Sequence, residues 1–276
     1  MNDIEKPRHL PVRIAEETFV IQDTQGEGVA PSTVHLNAMI IRGREPIVVD
    51  TGSPINSDRY LEDLFGLVDP NDVKWVFLSH DDIDHFGNLQ AVMDHCTSAT
   101  LVTTWFAMER LACSALDIAP NRWRWVDDGE AFDAGDRTMV AVRPPLYDSP
   151  TTRGLLDTRT GVYWASDCFA APVTQGTADV GDLDADEWRS GFMQFQQWNS
   201  PWSSDLDLPR YHRTVDRFVS HDIRVIASCH GPAIHRSHLE DAYEMLRAVP
   251  ESPVDPQPGM PVLEEILASM ATETTR

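Results

Sequence analysis

The stretch His80-Asp81-Asp82-Ile83-Asp84-His85 places two histidines and three carboxylates within six residues. Neither solubility nor turn formation demands that density of ligand-type side chains. Metal coordination does, because imidazole nitrogens and carboxylate oxygens are the donors that hold zinc, iron and manganese. Two later runs end in residues of the same kind: Gly161-Val162-Tyr163-Trp164-Ala165-Ser166-Asp167, and Ile223-Arg224-Val225-Ile226-Ala227-Ser228-Cys229-His230-Gly231-Pro232. Each is weak alone, since strands often end in Asp or His. Pro46-Ile47-Val48-Val49-Asp50-Thr51-Gly52 is a further apolar run with an acidic end, and by itself Asp50 reads as a residue that closes a strand.

His80-x-Asp82-x-Asp84-His85 resembles the signature loop of the metallo-β-lactamase superfamily, whose usual form is His-x-His-x-Asp-His. With a carboxylate in the second position it is most similar to the flavodiiron proteins and their stand-alone oxygen-binding di-iron relatives, which carry His-x-Glu-x-Asp-His. Asp82 is one methylene shorter than that Glu. The resemblance spans residues 30 to 235 and implies a role for each later residue. Asp167 would bridge two metals, His230 would complete the second position, and Asp50 would hold the loop in shape from outside the ligand set. The family's third-site histidine has no counterpart, because no His occurs between His95 and His212. Its usual spacing falls on Asp148, in Pro145-Leu146-Tyr147-Asp148-Ser149-Pro150. Asp148 then either binds metal or only caps the turn before Pro150, with Tyr147 facing the site. His35 stands where family members keep an unligated His near the metals, although alone it reads as an ordinary strand histidine.

On this assignment the first metal has His80, Asp82 and Asp148, the second has Asp84, His85 and His230, and Asp167 is shared. Four carboxylates balance two divalent ions. A carboxylate-rich, sulfur-free set suits two iron ions, or manganese, better than zinc, although zinc's higher intrinsic affinity still admits it. The resulting expectation is a binuclear non-haem iron protein that binds, activates or reduces dioxygen. The alternative is a binuclear zinc hydrolase acting on a lactone, thioester, phosphoester or lactam. A metal-free scaffold is a third reading, against which the number of well-placed candidates counts. No side chain is assigned as the reacting group. The residues after His230 are read as too few for the FMN-binding domain of the flavodiiron proteins, so the expectation is either an external electron donor or a protein that senses oxygen rather than turning it over.

These residues must be positioned by strands. Val73-Lys74-Trp75-Val76-Phe77-Leu78 reads as a buried strand running into the cluster, and Asn88-Leu89-Gln90-Ala91-Val92-Met93 as the helix start after it. Strands are expected at Val12–Ile14, Thr18–Ile21, His35–Ile41, Leu101–Thr103, Trp123–Val126, Glu130–Phe132 and Thr138–Val142. Helices are expected over Asp58–Leu67, Phe106–Leu116, Arg210–Val219 and His235–Ala248. This order alone yields an α/β or α+β fold. The resemblance narrows it to the four-layer αββα metallo-β-lactamase sandwich over residues 1–248. A proline-rich linker from Pro250 to Gly259 and a terminal helix at Val262–Met270 would make up residues 249–276, fraying from Thr272. Phe192 to Trp202 reads as an aromatic helix up to the Ser200-Pro201 break. Its aromatics either fill the core or, as in the resembling di-iron proteins, cover the metals and form part of a homodimer contact.

Composition sets outer bounds. A net charge of −22 argues against nucleic acid and anionic membrane as partners, because both would be repelled, and otherwise reads as solubility. No apolar run reaches transmembrane length, and the polar, charged Met1–Pro7 does not read as a signal peptide, so none is expected. Cys96, Cys113, Cys168 and Cys229 are scattered, without CxxC spacing, and read as reduced thiols of a cytoplasmic protein. Cys168 and Cys229 adjoin Asp167 and His230, which suggests burial beside the site rather than ligation.

Overall fold

The computed structural model describes residues 8–28, 30, 32–114, 116–253 and 256–273. Two sheets lie face to face. The first has seven strands, in the order Val12–Ala15, Thr18–Ile21, Ala38–Ile41, Ile47–Val49, Trp75–Phe77, Thr100–Thr103 and Trp123–Trp125. The second has six, in the order Ala131–Asp133, Thr138–Val142, Gly154–Asp157, Val162–Trp164, Val225–Ser228 and Gly231–His235.

The strands are apolar on both faces because both faces are covered. Ile47 and Val49 point between the sheets with Met39, Ile41, Phe77, Leu155, Trp164 and Ala227. Val48, with Ile40, Val76 and Leu101, points outward against helices Ser57–Leu67, Leu89–His95 and Trp105–Leu111. The second sheet alternates likewise. Leu156, Tyr163 and Ile226 face helices Ala185–Asn199, Leu208–Val219 and Leu239–Ala248. This is the expected αββα order, helix layer on sheet on sheet on helix layer.

The parallel pairs matter for function. Ile47–Val49 runs parallel to Trp75–Phe77, and Val162–Trp164 runs parallel to Val225–Ser228. Parallel strands end at the same edge, so Asp50, Ser79-His80, Ser166-Asp167 and His230 emerge together from two facing sheets. Open α/β sheets place ligands outside the carboxyl ends of their strands for the same reason.

Several expected boundaries shift. The run His35–Ile41 is not one strand: Val34–His35 pairs with Thr24–Gln25, and a separate strand starts at Ala38. The break falls at Leu36-Asn37 because Asn37 turns to hold the His230 loop, its Nδ2 donating to Ser228 O (3.0 Å) and Gly231 O (2.9 Å). The helix expected to reach Leu116 ends at Leu111. Gly154–Asp157 and Gly231–His235 are strands that local pattern did not reveal; the second displaces the start of its helix from His235 to Leu239. The aromatic helix starts at Ala185, where the Asp184 side chain caps it by accepting from Asp186 N and Glu187 N. In the expected linker, Ser252 O and Pro253 O accept from Gln197 Nε2, while Val254 and Asp255 lie outside the described residues. The terminal helix spans Met260–Glu273, so Thr272 and Glu273, expected to fray, are helical, while residues 274–276 lie outside the described residues. No described helix is long and apolar enough to cross a membrane.

Candidate metal centre

All seven candidate ligands meet at that shared edge, in two groups. His80 Nε2 lies 3.7 Å from Asp82 Oδ2, 3.6 Å from Asp148 Oδ2 and 3.8 Å from Asp167 Oδ2. The other oxygen of Asp167, Oδ1, lies 2.9 Å from His85 Nε2 and 3.3 Å from His230 Nε2. Asp84 Oδ2 stands 3.2 Å from His230 Nε2 and 4.0 Å from His85 Nε2. One carboxylate therefore faces two separate sets of donors, one through each oxygen.

Each histidine is oriented by its other nitrogen. His230 Nδ1 donates to the carbonyl of His35 (2.8 Å), and His85 Nδ1 donates to Asp50 Oδ2 (2.8 Å). Asp50 also reaches His80, through two serines. Ser79 Oγ donates to Asp50 Oδ2 (2.6 Å), which commits its only proton. In its contact with Ser79 Oγ (2.8 Å), Ser166 Oγ must then be the donor, so it accepts from His80 Nδ1 (2.9 Å). All three rings thus carry hydrogen at Nδ1 and turn Nε2 to the centre, the arrangement by which outer partners fix ligating histidines.

The central atoms lack protein partners. His80 Nε2, His85 Nε2 and Asp167 Oδ1 are buried without a hydrogen bond. His85 Nε2 and Asp167 Oδ1 stand close but misaligned, as two ligands of one ion would. Leaving such groups unsatisfied is costly, and a cation satisfies all of them at once. The charges point the same way. Burial pushes His80, His85 and His230 down, but surrounding negative groups, Asp167 among them, outweigh it and raise all three. Burial pushes Asp84 up, yet His230 and His85 hold it at about 2. Asp167 is likewise held well below the usual carboxylate range, its burial overcome by the three imidazoles, and Asp82 is lowered by His80. Asp148 alone of the four is raised, by burial first and by the charge of Asp167 second. It would gain most from a cation. The residues fit a pair of metal ions.

A family model described as ODP family beta lactamase matches residues 34–231.

The chain belongs to the ODP family of beta-lactamase-fold proteins.

The ODP-family chain is 30% identical over 212 residues to a putative diflavin flavoprotein A 1 of Thermosynechococcus vestitus, covering 76% of this chain and 36% of that one. Its fold matches a mutant of the flavo di-iron protein from Thermotoga maritima with a TM-score of 0.76 at 15% identity, covering 92% of this chain and 64% of that one. It also matches the rubredoxin oxygen:oxidoreductase of Desulfovibrio gigas with a TM-score of 0.73 at 14% identity, covering 87% and 61%. The chain thus spans about a third of the length of the curated relatives it matches.

Within the ODP-family domain, some expected roles change. His35 acts through its backbone carbonyl; its ring instead contacts Thr177 O through Nε2 (2.9 Å). Tyr147 packs against Trp202 and under the Arg143 guanidinium, and no hydrogen bond or ring contact joins it to the seven among the described residues. The donor set is not free of sulfur nearby: Cys229 Sγ lies with donor atoms of Asp84, His85 and His230, all within 4.8 Å of one another. The aromatic helix places Phe192 in the core, as one of the two expectations for it had it, while the Phe195 ring lies 5.4 Å from that of His230. Asp81, a ligand type inside the cluster, is drawn away by Arg110 Nε (2.6 Å) and Thr151 Oγ1 (2.7 Å). Ser79, Ser166 and Trp164, whose Nε1 donates to Asp50 Oδ2 (2.8 Å), carry no recognisable signal in a single sequence.

Proposed function

We propose that this domain is a binuclear non-haem iron protein that binds or reduces dioxygen. The observation that carries it is Asp167, whose two oxygens face two separate donor sets, each completed by imidazole and further carboxylate. His80, Asp82 and Asp148 would hold one ion, and Asp84, His85 and His230 the other. A pair of iron ions would supply electrons and binding positions for dioxygen. Four anionic side chains favour the higher oxidation state that such chemistry produces, and they distinguish this site from the imidazole-rich sites of zinc hydrolases.

The chain's own residues perform the remaining tasks. Asp50, through Ser79 and Ser166, keeps the Nε2 atoms of His85 and His80 unprotonated when a cation is bound. The His35 carbonyl does the same for His230. The Phe195 ring, 5.4 Å from that of His230, is an apolar neighbour on that side. Electron supply from outside the domain and pairing into a homodimer belong to the same reading and rest on the family resemblance.

The test is anaerobic reconstitution with ferrous iron, metal analysis, and an optical spectrum before and after oxygen. We expect two irons per chain and a new absorption band on oxidation, with the zinc form silent. A zinc-loaded protein that cleaves lactones or phosphoesters at many turnovers per second, alongside an iron form that ignores oxygen, would replace this reading with the hydrolase.

A further inference from the structure

We propose that Cys229 supplies a thiolate ligand to the second metal position, making that position chemically softer than the first. The proposal rests on the binuclear reading above and adds a donor that the family's signature residues do not include.

Three observations place the sulfur there. Cys229 Sγ, a carboxylate oxygen of Asp84 and ring nitrogens of His85 and His230 all lie within 4.8 Å of one another. Independently, His85 Nε2 and Asp167 Oδ1 are buried without a hydrogen bond at the same position, so atoms other than the sulfur also lack a partner that a cation would supply. Finally, the cysteine backbone is fixed on both sides. Cys229 N donates to Ser166 O (2.9 Å), and Cys229 O accepts from Asn37 N (2.9 Å). Ser166 is also the residue that orients His80, so the sulfur and the first-position imidazole are held by one framework.

The other buried cysteines differ. Cys96 lies in the helix-side core of the first sheet, far from the ligands in the layer order. Cys168 follows Asp167 in sequence, but its side chain belongs to the helix-side core of the second sheet, and burial pushes its thiol up to about 12. Only Cys229 lies between the sheets, where the ligand-bearing strands end. No hydrogen bond to its Sγ is present among the described residues.

Ligation would break the S–H bond, form a sulfur–metal bond and release the proton to solvent, with no change in oxidation state. The two positions would then differ. The first is one imidazole with three carboxylates, a hard set. The second combines two imidazoles, carboxylate oxygen and sulfur, a set that favours zinc, cobalt or iron over manganese.

The experiment uses the full metal-free chain titrated with Co(II), alongside Cys229→Ser. The expected result is two cobalt ions per chain in the wild type, with a sulfur-to-cobalt charge-transfer band that rises with the first equivalent and is lost in the variant. Zinc-edge X-ray absorption of the wild type, which needs no variant, should show a sulfur shell at about 2.3 Å beside nitrogen and oxygen at about 2.0–2.1 Å. Two bound cobalt ions with ligand-field bands but no sulfur band, together with a zinc spectrum containing only nitrogen and oxygen, would overturn the thiolate and leave the binuclear reading intact. A chain that binds no cobalt would overturn both.

Discussion

Asp50→Asn tests the framework behind the ligands without touching a ligand. Asp50 has a φ of 55°, a left-handed conformation that Asn tolerates about as well as Asp, so the substitution isolates the side chain from backbone strain. The carboxylate accepts four hydrogen bonds. Oδ1 takes Ser79 N (2.7 Å), while Oδ2 takes Ser79 Oγ, His85 Nδ1 and Trp164 Nε1. An amide has only one acceptor oxygen. Placed at Oδ2, it turns its NH2 against the Ser79 N–H; placed at Oδ1, it turns NH2 against three donors. The first is the smaller loss. It leaves one buried donor unsatisfied, about 1–3 kcal/mol, and weakens bonds that had a charged acceptor, about 1.5–3 kcal/mol each when intact. A loss of about 3 kcal/mol in metal-free stability follows, measurable by denaturant titration. Metal affinity should fall by about 10- to 100-fold, the usual cost of losing an outer partner of a ligating histidine. Because the serine chain connects Asp50 to His80 as well as His85, both ions should bind more weakly in a competition titration. A variant within about 0.5 kcal/mol of wild type, with unchanged affinity for both ions, would refute the network and the tautomers deduced from it.

Three further outcomes are expected. Asp167→Ala should lose more metal than Asp148→Ala, because Asp167 faces both donor sets and Asp148 only the first; equal stoichiometries in the two purified variants would mean that the bridge is wrongly assigned. Burial pushes His35 down to about 4. The unfolded chain therefore takes up this proton below about 6.5 while the folded chain resists it, so the stability His35 permits is fully present above about 6.5 and declines as pH falls toward 4, by about 3 kcal/mol in total. Metal-free His35→Gln should show a shallower acid limb in denaturant midpoints across that range, and an unchanged slope would contradict the buried neutral ring. Arg137→Met should cost about 3–5 kcal/mol, because it strips the buried Asp157 carboxylate of its Arg137 Nη1 partner at 2.9 Å; Thr160 Oγ1 and Arg159 N alone would then face it. Unfolding midpoints near wild type would show that those two bonds suffice.

What the sequence by itself determined was the part written locally. His80 to His85 is legible because its ligands are neighbours on one loop, and strand-ending Asp50, Asp167 and His230 are legible because an apolar run that stops at a polar residue marks a strand's end. The buried strands themselves were readable from unbroken Val and Ile, since a sheet covered on both faces carries no polar alternation. Tertiary structure decided everything that depends on where two sheets meet. It brought Asp148 to the centre, where spacing alone left it between ligand and turn cap. It gave Asp81, the carboxylate that the motif passes over, partners away from the centre, with Arg110 from a later helix holding it. It assigned His35 a carbonyl role and connected Asp50 to His80 through Ser79 and Ser166, which are 87 positions apart. It also separated the two cysteines that adjoin candidate ligands in the sequence, bringing the Cys229 sulfur within 4.8 Å of donor atoms of Asp84, His85 and His230 and turning Cys168 into the helix-side core. The reason is common to all of these. A side chain's type is local, but its partners are set by which strand ends the packed sheets bring to one edge, and that depends on the apolar faces between them.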